Sequence, residues 1–130
     1  MQETVLIVDD DVGVRDTARL VLAREGYEVL TASDGRSAIE VMAKDGGGVC
    51  TVLCDLEMPG GGGRALIRHV RQYFPDTTIL VLSGAQDTVF LDGIVEEGVG
   101  DWLRKPVTRE ELVSKVRTAV NLCMLRRKDK

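Results

Sequence analysis

Short runs of apolar residues alternate along the chain with longer segments that repeat apolar residues at helical spacing. The apolar runs predict five β-strands, at residues 4–9, 28–32, 51–55, 78–83 and 101–104. The remaining segments predict five helices, at residues 12–25, 35–45, 64–74, 87–97 and 108–125. A strict alternation of strands and helices is typical of a parallel sheet with helices on both faces. We therefore predict an α/β fold of the (βα)5 type, formed by a single domain of residues 1–130.

The composition of the predicted strands indicates their order in the sheet. Residues 5–8, 52–53 and 79–82 are apolar throughout, as expected of central parallel strands. Residues 28–31 and 101–104 include polar side chains, as expected of edge strands. The order 2-1-3-4-5 satisfies this pattern with right-handed crossovers and gives a doubly wound, flavodoxin-like sheet. The first and third strands are then neighbours, ~4.8 Å apart.

Acidic residues end these two neighbouring strands. Asp9 and Asp10 follow the first strand and Asp55 ends the third, at the sheet edge where open α/β folds bind ligands. Carboxylates about 4 Å apart repel by ~4 kcal/mol at an effective dielectric of about 20, so the cluster requires a cation or a retained proton. Oxygens of Asp10 and Asp55, with a main-chain carbonyl such as that of Glu57, suit Mg²⁺ better than Ca²⁺ or Zn²⁺.

Two further strand ends add complementary groups to this edge. Ser83 ends the fourth strand and Lys105 follows the fifth. A hydroxyl and an ammonium beside a metal-bound carboxylate favour a ligand with several anionic oxygens, such as a phosphoryl group. A carboxylate can act as the nucleophile that forms an acyl phosphate, and positioned cations supply most of the catalysis of phosphoryl transfer.

Capping signals support the predicted helix boundaries. Asp11 is placed to cap the first helix rather than to bind a metal, and Thr108 begins a capping box with Glu111 for the last helix. Residues 122–130 are the end of that last helix. They form either an overhang that leads toward a partner subunit or an output domain, or a solvated helix end.

Composition narrows the classes of function. The net charge of −4 does not favour nucleic-acid binding through a basic surface. No run reaches the ~18 apolar residues of a membrane span and no signal-peptide pattern is visible, so we expect a cytoplasmic protein without a membrane partner. The cysteines predict no disulfide, because Cys50 and Cys54 lie ~13 Å apart along a strand and Cys123 is alone on the last helix.

Four short motifs at the strand ends resemble the signature of response-regulator receiver domains of two-component signalling. They are Val8-Asp9-Asp10, Cys54-Asp55-Leu56-Glu57-Met58-Pro59, Leu82-Ser83-Gly84 and Arg104-Lys105-Pro106. The resemblance spans essentially the whole chain. It implies that Asp55 accepts a phosphoryl group from a histidine kinase or a phosphotransfer protein. It further implies Mg²⁺ held by Asp9, Asp10, Asp55 and the Glu57 carbonyl, a switch hydroxyl at Ser83, Lys105 on the phosphoryl group, and a cis Lys105-Pro106 peptide bond.

The resemblance implies a regulatory phosphoprotein rather than an enzyme, with at most its own phosphorylation and dephosphorylation as chemistry. Phosphorylation would change partner binding through the surface formed by predicted helix 87–97, the fifth strand and the last helix. Trp102 stands where the family has a Tyr or Phe whose rotamer follows the switch. A fused or separate output domain and a second copy of the chain are further candidate partners.

Three features of the sequence depart from the family pattern. Glycines occupy residues 61–63, where the family carries a Met-Asp-Gly-like run, so we expect this loop to be unusually mobile. Trp102 is bulkier than the usual aromatic residue, and this size affects whether its side chain can change rotamer with the switch. Glu57 adds a negative charge two residues after the acceptor, and we expect it to affect the lifetime of the acyl phosphate.

Other functions find less support in the sequence. Asp55-Leu56-Glu57 also echoes the Asp-x-Asp loop of haloacid-dehalogenase-type phosphatases, although that family has Asp at the second position and a cap over the site. A binding module that keeps the fold but is never phosphorylated is a second alternative. A dinucleotide-binding enzyme is excluded because no Gly-x-Gly-x-x-Gly motif follows the first strand. His69, the only histidine, lies between arginines on a predicted helix, as a surface residue would.

Overall fold

The computed structural model describes residues 2–45, 47–58, 62–84, 93 and 99–129. Its strands are β1 Thr4–Val8, β2 Glu28–Ala32, β3 Val49–Asp55, β4 Thr78–Ser83 and β5 Asp101–Arg104. Its helices are α1 Val12–Arg24, α2 Gly35–Asp45, α3 Gly62–Tyr73 and the C-terminal helix Arg109–Lys128. The predicted helix at residues 87–97 lies outside the described residues except for Gly93, which is helical.

The strands form a five-stranded sheet in the order β2-β1-β3-β4-β5, and every neighbouring pair is parallel. The predicted strand order and α/β fold class are therefore confirmed. The three central strands are apolar on both faces because helices cover both sides of the sheet. Successive residues of β1 show this directly, since Leu6 packs into the core on one face and Ile7 into the core on the other. Both side chains are fully buried.

The register of β1 and β3 positions the acidic residues. Val8, the last residue of β1, pairs with Cys54 of β3, so Asp9 and Asp55 continue from paired positions on adjacent strands. Asp11 then caps α1, since its side chain accepts hydrogen bonds from the main-chain nitrogens of Gly13 and Val14. The predicted capping role of Asp11 is confirmed.

Three element boundaries differ by two or more residues from those predicted. β3 begins two residues early, at Val49, and contains a bulge at Cys50, because Thr4 pairs with Val49 whereas Val5 pairs with Thr51. The run of glycines before β3 hid this start, since glycine is rare in strands. The C-terminal helix continues to Lys128 rather than ending at Leu125.

The third difference concerns the glycines after Pro59. Gly62 and Gly63 begin α3, so the expectation that residues 61–63 form a mobile loop is wrong for these two residues. Gly63 is buried against main chain, and a Cβ there would lie 3.0 Å from the carbonyl oxygen of Asp55. The glycine allows α3 to start close to the end of β3. Gly61 lies outside the described residues.

Within the described part of the chain, no helix combines the length and the apolar character needed to cross a membrane.

Candidate functional site

The carboxyl edge of the sheet brings the predicted acidic residues together. One carboxylate oxygen each from Asp9, Asp10 and Asp55 lies within 4.8 Å of the others. Asp9 is completely buried and Asp55 is 3% exposed, whereas Asp10 is exposed to solvent. The cluster is therefore buried on one side and open on the other, as a site that admits a ligand must be.

Lys105, which directly follows β5, adds a positive charge to the cluster. Its main-chain nitrogen donates to the carbonyl of Ser83 at 2.8 Å, which extends the pairing of β4 and β5 by one residue. Its Nζ atom lies 3.2 Å from Oδ2 of Asp9 and 3.4 Å from Oδ2 of Asp55. The Lys105-Pro106 peptide bond is cis, which confirms that prediction.

The electrostatics of the site reflect an excess of negative charge. Burial raises the pKa of Asp55 and the Asp9 carboxylate adds to this, against the lowering effects of the Glu57 N–H and Lys105. Burial lowers the pKa of Lys105, but the attraction of Asp55 and Asp9 outweighs it, and the pKa is raised overall. Lys105 is therefore held in its charged form, while ionised Asp55 is disfavoured.

The donor set fits a divalent cation. Three carboxylates face one ammonium, so the cluster keeps an excess of about two negative charges when all three are ionised. All the clustered ligand atoms are oxygens, which is the preference of Mg²⁺, and the open side at Asp10 leaves room for the water molecules that Mg²⁺ retains. The residues thus fit the metal that the sequence predicted.

Hydrogen bonds fix both buried carboxylates. Oδ1 of Asp9 accepts from the main-chain nitrogen of Asp11 at 2.9 Å, and Oδ1 of Asp55 accepts from that of Glu57 at 3.1 Å. The guanidinium of Arg15 donates to the carbonyl of Asp9 at 2.8 Å. Because each carboxylate has one oxygen bound by main chain, its second oxygen is directed toward Lys105.

Ser83 lies at the same edge of the sheet, and its hydroxyl contacts the side chain of Glu57. The side chain is completely buried, and Oγ donates to Oε1 of Glu57 at 2.8 Å. The main-chain nitrogen of Gly84 also donates to the Glu57 carboxylate, at 2.9 Å to Oε1 and 3.1 Å to Oε2. Sequence reasoning assigned Glu57 a role through its main-chain carbonyl and missed this role of its side chain.

Trp102 lies on β5, two strands away from Asp55 in the sheet. It pairs with Val81 of β4, its side chain is half-buried, and it packs against the same core face as α2 and α3. The Arg104 guanidinium lies 5.4 Å from the centre of its ring, a cation–π distance. Its predicted switching role stays a prediction.

Sequence reasoning also missed a cluster at the opposite, amino edge of the sheet. Cys123 was expected to be alone, yet it lies beside Cys50, and both thiols are buried. Burial and hydrogen bonds to Glu3 and Cys123 raise the pKa of Cys50, which holds it as a thiol. Arg127 donates to Cys50 Sγ at 3.4 Å. All three cysteines are free thiols in the structure, and the expected absence of a disulfide stays a prediction.

His69 is not part of either cluster. Its ring lies 4.7 Å from that of Tyr73 and 6.2 Å from that of Phe74, at the end of α3. These contacts agree with a packing role at the surface.

Comparisons with known proteins agree with this geometry. The sequence model of the response regulator receiver domain matches residues 5–117. The hydrogenase transcriptional regulatory protein HoxA of Bradyrhizobium diazoefficiens is 33% identical over 128 residues, which cover 98% of this chain and 26% of HoxA. The response regulator MprA of Mycolicibacterium vanbaalenii is 35% identical over 117 residues, which cover 90% of this chain and 50% of MprA.

Solved structures show the same fold. A response regulator receiver domain protein from Clostridium thermocellum superposes with a TM-score of 0.83 at 26% identity, covering 96% of both chains. The chain spans about a quarter of the length of HoxA and half that of MprA. The similarity to these longer proteins therefore concerns one part of each.

Proposed function

Because this chain belongs to the family of response-regulator receiver domains of two-component signalling, we propose that Asp55 accepts a phosphoryl group from a histidine kinase or a phosphotransfer protein. The observation that carries the proposal is the position of the Asp55 carboxylate. It is almost fully buried, its Oδ2 lies 3.4 Å from the Lys105 ammonium, and two further carboxylates lie beside it. Membership of a family that is generally regulatory supports a regulatory domain rather than an enzyme that acts on a separate substrate.

The proposed transfer uses groups already in place. A carboxylate oxygen of Asp55 bonds to phosphorus as the bond between phosphorus and the donor histidine nitrogen breaks, and that nitrogen keeps the electron pair. The second ring nitrogen of the donor carries a proton throughout, so the donor histidine ends as neutral imidazole. The Lys105 ammonium then holds negative charge on the phosphoryl oxygens. No proton has to leave Asp55, provided that the carboxylate is ionised when the donor arrives.

Bound Mg²⁺ supplies charge neutralisation for the phosphoryl oxygens. Asp9, Asp10 and Asp55 would hold the ion through carboxylate oxygens and Glu57 through its main-chain carbonyl, in agreement with the oxygen-only donor set. The ion would also restore ionisation of Asp55, whose pKa is raised by burial and, to a smaller extent, by the Asp9 carboxylate.

We further propose that phosphorylation changes the surface formed by β5 and the C-terminal helix, and that a partner recognises this change. Ser83 ends β4 next to β5, and Trp102 lies on β5 beside β4. Movement of the Ser83 hydroxyl toward the phosphoryl oxygens would repack Trp102 and the surface that also includes predicted helix 87–97, which lies outside the described residues. The partner that binds this surface would be a fused or separate output domain, or a second copy of the chain.

Phosphorylation by a small donor tests the acceptor. Incubation with acetyl phosphate and Mg²⁺, followed by intact-mass measurement, is expected to show one phosphoryl adduct on the wild type. Asp55→Asn is expected to show none, and Asp34→Asn, a matched change at an exposed aspartate, is expected to behave as wild type. The proposal fails if the wild type gains no adduct, or if Asp55→Asn gains as much.

A phosphatase assay separates the switch from the enzyme alternative. Repeated turnover of phosphomonoesters by the wild type would favour a haloacid-dehalogenase-type phosphatase. We expect no such turnover, because the proposed acyl phosphate serves as a signal.

A further inference from the structure

The Glu57 side chain bridges two strands at the edge of the site. Its carboxylate follows β3 and accepts hydrogen bonds from the Ser83 hydroxyl and the Gly84 main-chain nitrogen at the end of β4. Ser83 is completely buried, so Glu57 supplies an anionic partner to a hydroxyl that has no access to solvent. Hydrogen bonds to an ionised acceptor are stronger than those between neutral groups.

The same carboxylate belongs to a residue that also contacts the acceptor. The main-chain nitrogen of Glu57 donates to Asp55 Oδ1 at 3.1 Å, and its side chain turns from there toward β4. A phosphoryl group on Asp55 would present anionic oxygens to this same space between β3 and β4. The Ser83 O–H and the Gly84 N–H are the donors that β4 offers there, and a carboxylate already occupies both.

We propose that the Glu57 side chain is an internal anion that competes with the phosphoryl group for the Ser83 hydroxyl and the Gly84 N–H. Phosphorylation then has to displace Glu57, which makes Glu57 a positioning residue that sets how readily the site accepts a phosphoryl group. This inference rests on the proposed function, because the competitor is the phosphoryl group on Asp55.

Charge supplies the driving force for displacement. A phosphoryl group carries about two negative charges, so an adjacent Glu57 carboxylate is repelled once its two donors are taken. Glu57 is exposed to solvent in the unphosphorylated protein, so its side chain can turn outward without crossing the core. The energetic balance is between hydrogen bonds lost by Glu57 and those gained by the phosphoryl oxygens.

Shortening the side chain separates this competition from simple charge repulsion. Glu57→Asp keeps the negative charge but lacks the methylene group needed to reach Ser83 and Gly84, whereas Glu57→Gln keeps the reach and loses the charge. Glu40→Asp makes the same change at an exposed position of α2 and serves as the control. Each variant is titrated with beryllium fluoride and Mg²⁺, a phosphoryl analogue, and binding is followed by NMR.

The expected result is binding about tenfold tighter for Glu57→Asp than for wild type, equivalent to roughly 1.4 kcal/mol. Glu40→Asp should bind as wild type. If the charge alone acts, Glu57→Asp will bind as wild type and only Glu57→Gln will bind more tightly, which would overturn the proposal. In a Ser83→Ala background the effect of Glu57→Asp should shrink, because one of the contested donors is gone.

A second measurement needs no phosphoryl group. With chelator present, amide hydrogen exchange at Gly84 is expected to be several-fold faster in Glu57→Asp than in wild type and unchanged in Glu40→Asp. Equal exchange at Gly84 in wild type and Glu57→Asp would overturn the contact itself. This measurement does not depend on phosphorylation of Asp55. If no acyl phosphate forms, the proposed function fails, whereas the hydrogen-exchange rate of Gly84 still tests the Glu57 contact.

Discussion

The two edges of the sheet handle buried charge in opposite ways. At the carboxyl edge, the carboxylates of Asp9, Asp10 and Asp55 face the single ammonium of Lys105. At the amino edge, one carboxylate of Glu3 and one guanidinium of Arg127 both contact the Cys50 thiol. The three carboxylates and one ammonium of the first group carry an excess of negative charge, whereas the charges of Glu3 and Arg127 in the second group are equal and opposite. The first group therefore favours a cationic ligand more strongly than the second.

The bulge in β3 explains why the amino edge needs Arg127. Its Nη2 atom donates to the carbonyl of Gly47 at 2.7 Å and to that of Val49 at 2.9 Å, just before the bulge at Cys50. These contacts tie the last turns of the C-terminal helix to the start of β3. The guanidinium of Arg127 therefore stabilises the fold at this edge.

The largest effect on stability is expected from loss of the guanidinium at the amino edge. Arg127→Met should lower the free energy of unfolding by about 3 kcal/mol, because it removes hydrogen bonds to two main-chain carbonyls and to the Cys50 sulfur. Urea denaturation measures this, with Arg126→Met at an exposed neighbouring position as the control. Phosphorylation by acetyl phosphate of the folded variant should be unchanged, and a strong decrease would show that the two edges are coupled.

At the carboxyl edge, a methyl group at Gly63 should disturb the main chain of Asp55, the proposed acceptor. In Gly63→Ala the new Cβ would lie 3.0 Å from the Asp55 carbonyl oxygen and 3.2 Å from Leu56 Cα. We expect a loss of about 2 kcal/mol and slower phosphorylation, because main chain rather than a flexible side chain has to move. Gly93→Ala is the matched change, since its Cβ would meet no atom within 4 Å among those described. Equal phosphorylation of Gly63→Ala and wild type would contradict this expectation.

Removing the charge of Asp55, the proposed acceptor, should stabilise the protein when no metal is bound. The pKa of Asp55 is raised above its ordinary 3.8, so its contribution to stability is full below that pH and is lost as the pH rises through the higher pKa of the folded state. In chelator at neutral pH, Asp55→Asn should therefore gain on the order of 1 kcal/mol, after compensation of the repulsion by Lys105. Denaturation with and without Mg²⁺ measures this.

The metal supplies the control for that experiment. Mg²⁺ should stabilise wild type and have less effect on Asp55→Asn, since an ion bound only by the folded state raises its stability. The gain in chelator should also shrink as the pH falls toward 3.8. A wild type that is more stable than Asp55→Asn in chelator would contradict the excess of negative charge at this edge.

The smallest effect is expected where the C-terminal helix begins, near the carboxyl edge. The Thr108 hydroxyl accepts from the main-chain nitrogen of Glu111 at 3.1 Å. Thr108→Ala should lower the free energy of unfolding by between about 0.5 and 1 kcal/mol, clearly less than Arg127→Met at the other end of the same helix. Thermal unfolding compares the two variants, and the reverse order would place the main anchor of the helix at its first turn.

The sequence predicted the strand order and the cluster of Asp9, Asp10, Asp55 and Lys105 because both depend on local signals. An apolar run that stops at a charged residue marks a strand end, and parallel pairing then brings such ends together. The pairing of Cys123 with Cys50 was missed because it depends on how the C-terminal helix rotates and where it crosses the sheet. No spacing in the sequence reports that rotation.

Two other features were missed for different reasons. The Glu57 carboxylate could reach solvent, a metal or β4, and only the positions of Ser83 and Gly84 decide among these. Gly62 and Gly63 were interpreted as a loop, since glycine marks either a turn or a close approach of main chains. The composition is the same in both cases, so the distinction needs the positions of the neighbouring elements.

The glycines at the starts of α2 and α3 have a consequence for how the sequence can vary. A Cβ on Gly35 would lie 2.6 Å from the carbonyl oxygen of Gly62, so no larger residue fits at Gly35 unless α3 shifts. The next residue, Gly63, contacts the main chain of Asp55 and Leu56. A substitution at Gly35 would therefore shift main chain that packs against Asp55, the proposed phosphoryl acceptor, even though Gly35 itself lies outside the site.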